Sequence, residues 1–255
     1  MALRELRVDW QGDVCFLQIF RPETKNTISA ELIRECHEII DECERNATVL
    51  VLSGTDQFFC SGADLNSVSE LGQADVASNP RPLYELWLKL ALGSFVSVAL
   101  VRGQATAGGV GFVSACDIVL ADETAIFSLS ELLFGLIPAC VLPFLIRKIG
   151  SSKANYMTLT ADVYRAEVML KWGLIDEVLP KADNVPSKLI ERLTRLEKTS
   201  IFRYKQYLAK LDSNLEVSLD NAIETNLEVF NDAENRRKIT SFVNDGIFPW
   251  ENKLR

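Results

Sequence analysis

The chain has 255 residues, 48% of them apolar and 24% charged, with a formal net charge of −8; this mixture fits a globular protein with a sizeable core and excludes disordered and fibrous classes. The acidic balance argues against a nucleic-acid partner, which needs a basic surface, and no apolar run approaches the roughly 20 residues of a bilayer-spanning helix. Charges within Met1-Ala-Leu-Arg-Glu-Leu-Arg-Val8 stand where a signal peptide needs an apolar stretch, so the expected location is cytoplasmic, away from any membrane.

Along the chain, Val14–Phe20 reads as a strand that ends at Arg21-Pro22, because proline withdraws the next ladder donor. Ser29 then caps an amphipathic helix whose apolar positions, Leu32, Ile33, Cys36, Ile39, Ile40 and Cys43, recur at helical spacing. The single histidine, His37, lies in this helix and reads as a solvated face residue; a histidine triad or multi-histidine metal site is not expected. Val49–Ser53, Val96–Val101 and Ile118–Ala121 are continuous apolar runs, the pattern of strands buried on both faces. The alternation predicts stacked βαβ units. From about Ser151 the spacing turns helical, and Pro186 to Asp245 shows no strand-like alternation. The expected organisation is an α/β core over 1–180 and a helical module over 181–255. The six cysteines, Cys15, Cys36, Cys43, Cys60, Cys116 and Cys140, form no C-x-x-C pair and read as reduced core thiols.

Two glycine-containing turns follow buried strands. One is Phe58-Phe-Cys-Ser-Gly-Ala-Asp-Leu65; the other is Gly103-Gln-Ala-Thr-Ala-Gly-Gly-Val-Gly-Phe112. Small residues there leave backbone N–H groups uncovered where the chain is expected to enter a helix. Two such turns on neighbouring strands can aim two N–H groups at one oxygen, which is what an oxyanion hole requires. Each cluster taken singly is also compatible with a packing turn. A dinucleotide-binding turn fits poorly, since neither G-x-G-x-x-G nor a P-loop is spelled.

The first turn, the stretch Ala105 to Asp117, Phe127-Ser-Leu-Ser-Glu-Leu-Leu-Phe-Gly-Leu-Ile-Pro138, and Ala166-Glu-Val-Met-Leu-Lys-Trp-Gly-Leu-Ile-Asp-Glu-Val178 together resemble the enoyl-CoA hydratase/isomerase (crotonase) superfamily over nearly the whole chain. The resemblance implies a spiral of ββα units followed by helices that trimerise, with hexamers also open. It implies an acyl thioester as substrate, held by the N–H groups of Ala63 and Gly108. No tightly bound cofactor is implied; the acyl group rides on phosphopantetheine, of an acyl carrier protein or coenzyme A. By family position the arm is met by Arg21, Lys25, Ala63, Asp64, Leu65 and Lys253, and Phe248 belongs to a terminal aromatic segment that covers it from a neighbouring subunit.

Family hydratases carry two glutamates; here the first position reads Gly111 and the second is Glu131. Apolar neighbours on the side of Leu132-Leu-Phe134 would desolvate that carboxyl and raise its pKa, which suits proton exchange with carbon. A surface helix cap is the plainer reading. One acid can take an α-proton and return it to a departing hydroxyl, so a dehydratase or isomerase fits better than a hydratase. Ser130-Glu-Leu-Leu-Phe-Gly-Leu-Ile-Pro-Ala-Cys-Val-Leu-Pro-Phe144 is similar to the dehydratases of polyketide β-branching cassettes. Those convert carrier-bound 3-hydroxy-3-methylglutaryl groups to 3-methylglutaconyl. Such a substrate has a distal carboxylate, for which Arg81, Tyr84 and Lys89 are candidates, though each also reads as an ordinary solvated helix residue. A fatty-acid isomerase and a catalytically silent trimeric scaffold stay open beside this reading.

Overall fold

The computed structural model describes residues 3–64, 78–180, 184–211 and 214–251. Its main sheet has six strands: β1 (Leu6–Gln11), β2 (Val14–Ile19), β3 (Val49–Ser53), β5 (Val96–Val101), β7 (Ile118–Asp122) and β10 (Glu177–Leu179), in the order β1-β2-β3-β5-β7-β10. Within it only the β1–β2 hairpin is antiparallel. A second sheet pairs β4 (Phe58–Cys60), β6 (Gln104–Thr106), β8 (Ile126–Ser128) and β9 (Val163–Arg165) in that order.

The chain therefore does not run as βαβ units. After each of three central strands of the main sheet it crosses to a three-residue strand of the second sheet: β3 to β4, β5 to β6 and β7 to β8. Strands this short cannot display period-two alternation, which is why the sequence pattern shows only the long member of each pair. Two largely parallel sheets stepping along the chain give the ββα spiral.

The long runs are apolar throughout because both faces of the main sheet are covered. Leu50, Leu52, Ala99 and Val101 join the principal core beneath α1 (Ala30–Asn46) and α2 (Arg81–Leu92), while Val49, Val51, Val98 and Leu100 pack on the other side with Val185, Leu193 and Ile201. Leu193 belongs to α6 (Ser187–Leu193) and Ile201 to α7 (Lys198–Leu211), so the late helices complete that second face. Within α1 the Ser29 hydroxyl accepts from Leu32 N at 2.9 Å, and all six apolar positions of the expected stripe are buried. His37 is not free in solvent: its Nε2 donates to Pro82 O at 2.9 Å and ties α1 to α2. All six cysteines are buried and unpaired.

The short helix α5 (Ala166–Trp172) leads into β10, which ends at Leu179, and helices α6, α7, α8 (Asn214–Val217), α9 (Leu219–Asn231) and α10 (Ala233–Asp245) follow. They are fastened through buried polar groups. Lys205 of α7 donates to Leu90 O (3.1 Å), Phe95 O (2.9 Å) and Asp117 Oδ2 (2.7 Å). Helical spacing begins earlier than Ser151, since α4 spans Leu142–Thr160 and breaks at Gly150 (φ 73°). Among the described residues no helix is long and apolar enough to cross a membrane.

Candidate active site

The two glycine turns touch. A methyl group on Gly62 would lie 2.7 Å from the Ala107 side chain and 3.1 Å from Gly108 N, and one on Gly109 would lie 2.1 Å from Cys60 O. Only hydrogen at these positions allows the first turn to lie against the start of α3 (Gly108–Ala115). Ala107 adopts φ 50°, ψ −120°, a conformation costing an alanine on the order of 1–3 kcal/mol that persists only where the surroundings impose it. Here its N–H donates to Ser128 O (3.0 Å) and its carbonyl accepts from Val110 N (2.9 Å). Gly108, the first residue of α3, has no intrahelical acceptor for its N–H. Neither that group nor Ala63 N–H has a protein acceptor among the described residues. The first turn is held by the Ile28–Ala63 bridge, in which Ile28 N donates to Gly62 O at 2.8 Å.

Ala63, Gly108 and Glu131 line one cavity of about 160 Å³. Its other walls are mainly apolar, with Ile28, Leu83, Trp87, Phe134, Leu136 and Ile137 among them. Glu131 opens a short 3₁₀ turn, Glu131–Phe134, directly after β8. The turn is closed by Gly135 in the left-handed region (φ 80°), and Gly135 O accepts from Asn235 Nδ2 of α10 at 2.9 Å, so a late helix fixes the acid's seat. Glu131 Oε2 is buried without a hydrogen-bond partner. Burial pushes the carboxyl up to about 7, and the backbone N–H groups of Glu131 and Ser130 offset only part of that. A carboxyl held there exchanges protons near neutral pH.

The Trp87 indole fills the space beside Gly111, the position to which the resemblance assigns a second glutamate. A methyl on Gly111 would meet the indole at 2.4 Å, so residue 111 has no room for a side chain. Trp87 is itself wedged edge-to-face against Phe112 and Phe144, with centroids 5.7 Å apart in each case. Gly111→Glu is therefore expected to lower stability by about 3 kcal/mol or more by overpacking a rigid core, without creating hydration activity. Thermal unfolding and a crotonyl-CoA hydration assay check this.

Arg81, Tyr84 and Lys89, the candidates for the distal carboxylate, do not line the cavity among the described residues and have partners elsewhere. Tyr84 is fully buried, and its hydroxyl donates to Leu215 O at 2.7 Å, so it secures the late helices. Arg81 pairs with Asp220 (2.6 Å) and lies within 3.8 Å of Glu85, and Lys89 is bonded to Asp41 of α1. The face of α2 that meets the cavity carries Leu83 and Trp87 instead. Arg21 is turned inward, its guanidinium bonded to Thr27 and 3.1 Å from Glu5, so it braces the loop before α1. Lys25 is exposed beside the first turn, its carbonyl accepting from Ser61 Oγ at 2.8 Å. Asp64 is half-buried next to Ala63, while Leu65 and Lys253 lie outside the described residues. Phe248 stacks on Trp250 and packs on Phe242, which contacts Phe134 of the Glu131 turn.

Sequence reasoning misses Trp87 and Asn226 of α9, both of which line the cavity. Trp87 has a signal, because it shares a helical face with Leu83; Asn226 has none. A larger cleft of about 890 Å³ lies between the core and the late helices. There Lys205 is spent on Asp117 and two carbonyls, and Lys148 donates to Asp117 O at 2.9 Å. Its chemistry is structural, and the smaller cavity holds the reactive groups. No cluster of His, Cys, Asp or Glu among the described residues is placed to hold a metal ion.

Uncovered amides that share a cavity with a carboxyl of raised pKa form a site able to stabilise an oxyanion and to move a proton. The chain belongs to the enoyl-CoA hydratase/isomerase family, whose sequence model matches residues 9–253. It is 45% identical over 99% of both chains to the bacillaene synthase dehydratase PksH of Bacillus subtilis. It is 33% identical to the 2,3-dehydroadipyl-CoA hydratase of Escherichia coli over 70% of each. A solved Bacillus subtilis structure, described as a polyketide biosynthesis enoyl-CoA hydratase, superposes with a TM-score of 0.92 at 44% identity, over 97% of this chain and all of that one.

Proposed function

We propose that the protein is a hydro-lyase of polyketide β-branching, removing water from a 3-hydroxy-3-methylglutaryl thioester on an acyl carrier protein to give the 3-methylglutaconyl thioester. The observation that carries this reading is Glu131, the one carboxyl on the cavity wall among the described residues, sharing that wall with two uncovered amides while Trp87 fills the space beside Gly111. In the proposed mechanism Ala63 N–H and Gly108 N–H bind the thioester oxygen and stabilise the enolate as it forms. Ionised Glu131 takes the C2 proton, then returns it to the C3 hydroxyl, which leaves as water. Charge is conserved: the pair left on C2 forms the new double bond as the C3–O bond breaks.

The likeness to a dehydratase at 45% identity supports the polyketide setting. Lys25, with Asp64 nearby and Phe248 beyond the Glu131 turn, is proposed to border the phosphopantetheine arm. Exposed apolar residues on α7, among them Tyr204, Tyr207 and Leu211, support association into a homotrimer through the late helices. A cytoplasmic enzyme with an α/β core over 1–180 and a helical module after it is the organisation we infer.

A second reading, an isomerase of enoyl-CoA substrates, is favoured by one feature: no Lys or Arg lines the cavity among the described residues. The experiment that separates them is incubation with carrier-bound 3-hydroxy-3-methylglutaryl, crotonyl-CoA and a 3-enoyl-CoA. The dehydratase reading expects a loss of one water mass from the first only. Double-bond migration in the third, with the first untouched, sinks it.

A further inference from the structure

Resting on the dehydratase reading, we propose that Asn226 determines specificity for the far end of the acyl chain, donating its side-chain N–H to a terminal carboxylate. Asn226 lies inside α9 and is only 9% exposed. Its amide faces the cavity and has no hydrogen-bond partner among the described residues. A nearly buried amide on a mainly apolar wall has few competing waters, so a ligand group that accepts its N–H gains a bond at little desolvation cost.

The surroundings say which ligand. One helical turn to either side on the same face of α9, Ala222 O lies 3.9 Å from Cys140 Sγ and Phe230 lines the cavity. That face thus packs on the Ile137–Val141 segment, which is apolar apart from Cys140 and supplies no N–H side chain. The only other side-chain N–H on the cavity wall among the described residues is Trp87 Nε1, also buried and unpaired. The Trp87 ring borders Gly108 and Gly111: Cζ2, next to the carbon that bears Nε1, would lie 3.9 Å from a methyl on Gly108. Trp87 therefore belongs to the thioester end. The hydroxyls on the wall, Ser61, Thr106 and Ser130, stand within two residues of Ala63, Gly108 and Glu131 and so belong to the thioester end as well, which leaves Asn226 as the neutral donor for a polar group farther along the chain.

Calorimetric titration of the full-length protein with glutaryl-pantetheine and pentanoyl-pantetheine tests this. The two probes share chain length and thioester and differ in the terminal carboxylate. Neither has a hydroxyl to lose, so binding is read apart from turnover. The wild type is expected to bind the glutaryl probe about tenfold more tightly or better, the value of a hydrogen bond to a charged acceptor. Asn226→Leu brings the ratio near one, and Asn226→Asp, equal in shape but like in charge, inverts it. Thermal midpoints verify folding, and the aspartate variant decides if the leucine variant unfolds. No preference in the wild type, an unaltered ratio in the folded variants, or equal weakening of both probes overturns the proposal. A retained preference without dehydration of the 3-hydroxy-3-methylglutaryl substrate refutes the dehydratase reading and leaves the assignment of Asn226 standing.

Discussion

Exchanging Glu131 for glutamine is expected to lower dehydration of the carrier-bound substrate by about 10³-fold, within the range a positioned general acid–base contributes, while making the protein more stable. The two effects share one cause. Glu131 Oε2 is buried without a partner, and burial holds the carboxyl up at about 7. The unfolded chain ionises this group near its ordinary value of about 4.3. Below that value both states are protonated and the residue has no pH-linked effect. As pH rises toward 7 the unfolded state gives up its proton first, so native stability falls, and above 7 the loss levels off. Glutamine removes the loss. Above pH 7 the variant gains at most about 4 kcal/mol, less whatever screening its partial exposure allows, and near pH 4 it gains almost nothing. Urea denaturation at the two pH values reads this directly. Since Glu131 must start ionised to take the C2 proton, kcat/KM is expected to rise with pH to a plateau above about 7.

The second large effect is expected at Gly109, which contacts no substrate in this account. A methyl group there would lie 2.1 Å from Cys60 O and 3.0 Å from Cys60 C, both backbone atoms that no rotamer change can move aside. Gly109→Ala must therefore push α3 away from the first turn and separate the amides of Ala63 and Gly108. Overpacking costs about 1–3 kcal/mol of stability, and loss of one oxyanion donor costs about 10²–10³-fold in kcat. An infrared spectrum of a bound thioester labelled with carbon-13 at its carbonyl distinguishes misplacement from unfolding. The carbonyl band is expected to shift to lower frequency on the wild type and to stay near its solution position on a folded Gly109→Ala variant. A full shift on the variant would show that the two turns tolerate separation.

These effects separate what is legible in the sequence from what is not. Val49–Ser53 and Val96–Val101 are legible to the residue because both faces of the main sheet are buried, which forces an unbroken apolar run. Ser29 announces α1 through its hydroxyl. The strand β1 is legible too, since Leu6, Val8 and Trp10 alternate with Arg7, Asp9 and Gln11 as an edge strand covered on one side requires, although the reading above passes over it. The second sheet escapes because strands such as Phe58–Cys60 and Gln104–Thr106 are too short to show a period.

At the site, Glu131, Ala63 and Gly108 are marked by the family resemblance of the motifs that hold them, and the structure brings them to one cavity. The placement of Arg81, Tyr84 and Lys89 away from the cavity is not legible, because charge and hydroxyl identify a polar side chain and not the direction it faces. On α2 the cavity-facing positions are Leu83 and Trp87. Asn226 lies 95 positions beyond Glu131 in number, and only the packing of α9 against the Ile137–Val141 segment brings it in. Its type, common on any helix surface, carries no mark.

The most direct test of the central claim is deuterium incorporation at C2 of glutaryl-pantetheine in heavy water, followed by mass spectrometry. This probe cannot lose water, so any exchange reports enolate formation alone. Wild-type protein is expected to exchange the C2 protons, and Glu131→Gln to leave them in place. Exchange that persists undiminished without the carboxyl, or that never occurs with it, would contradict the account.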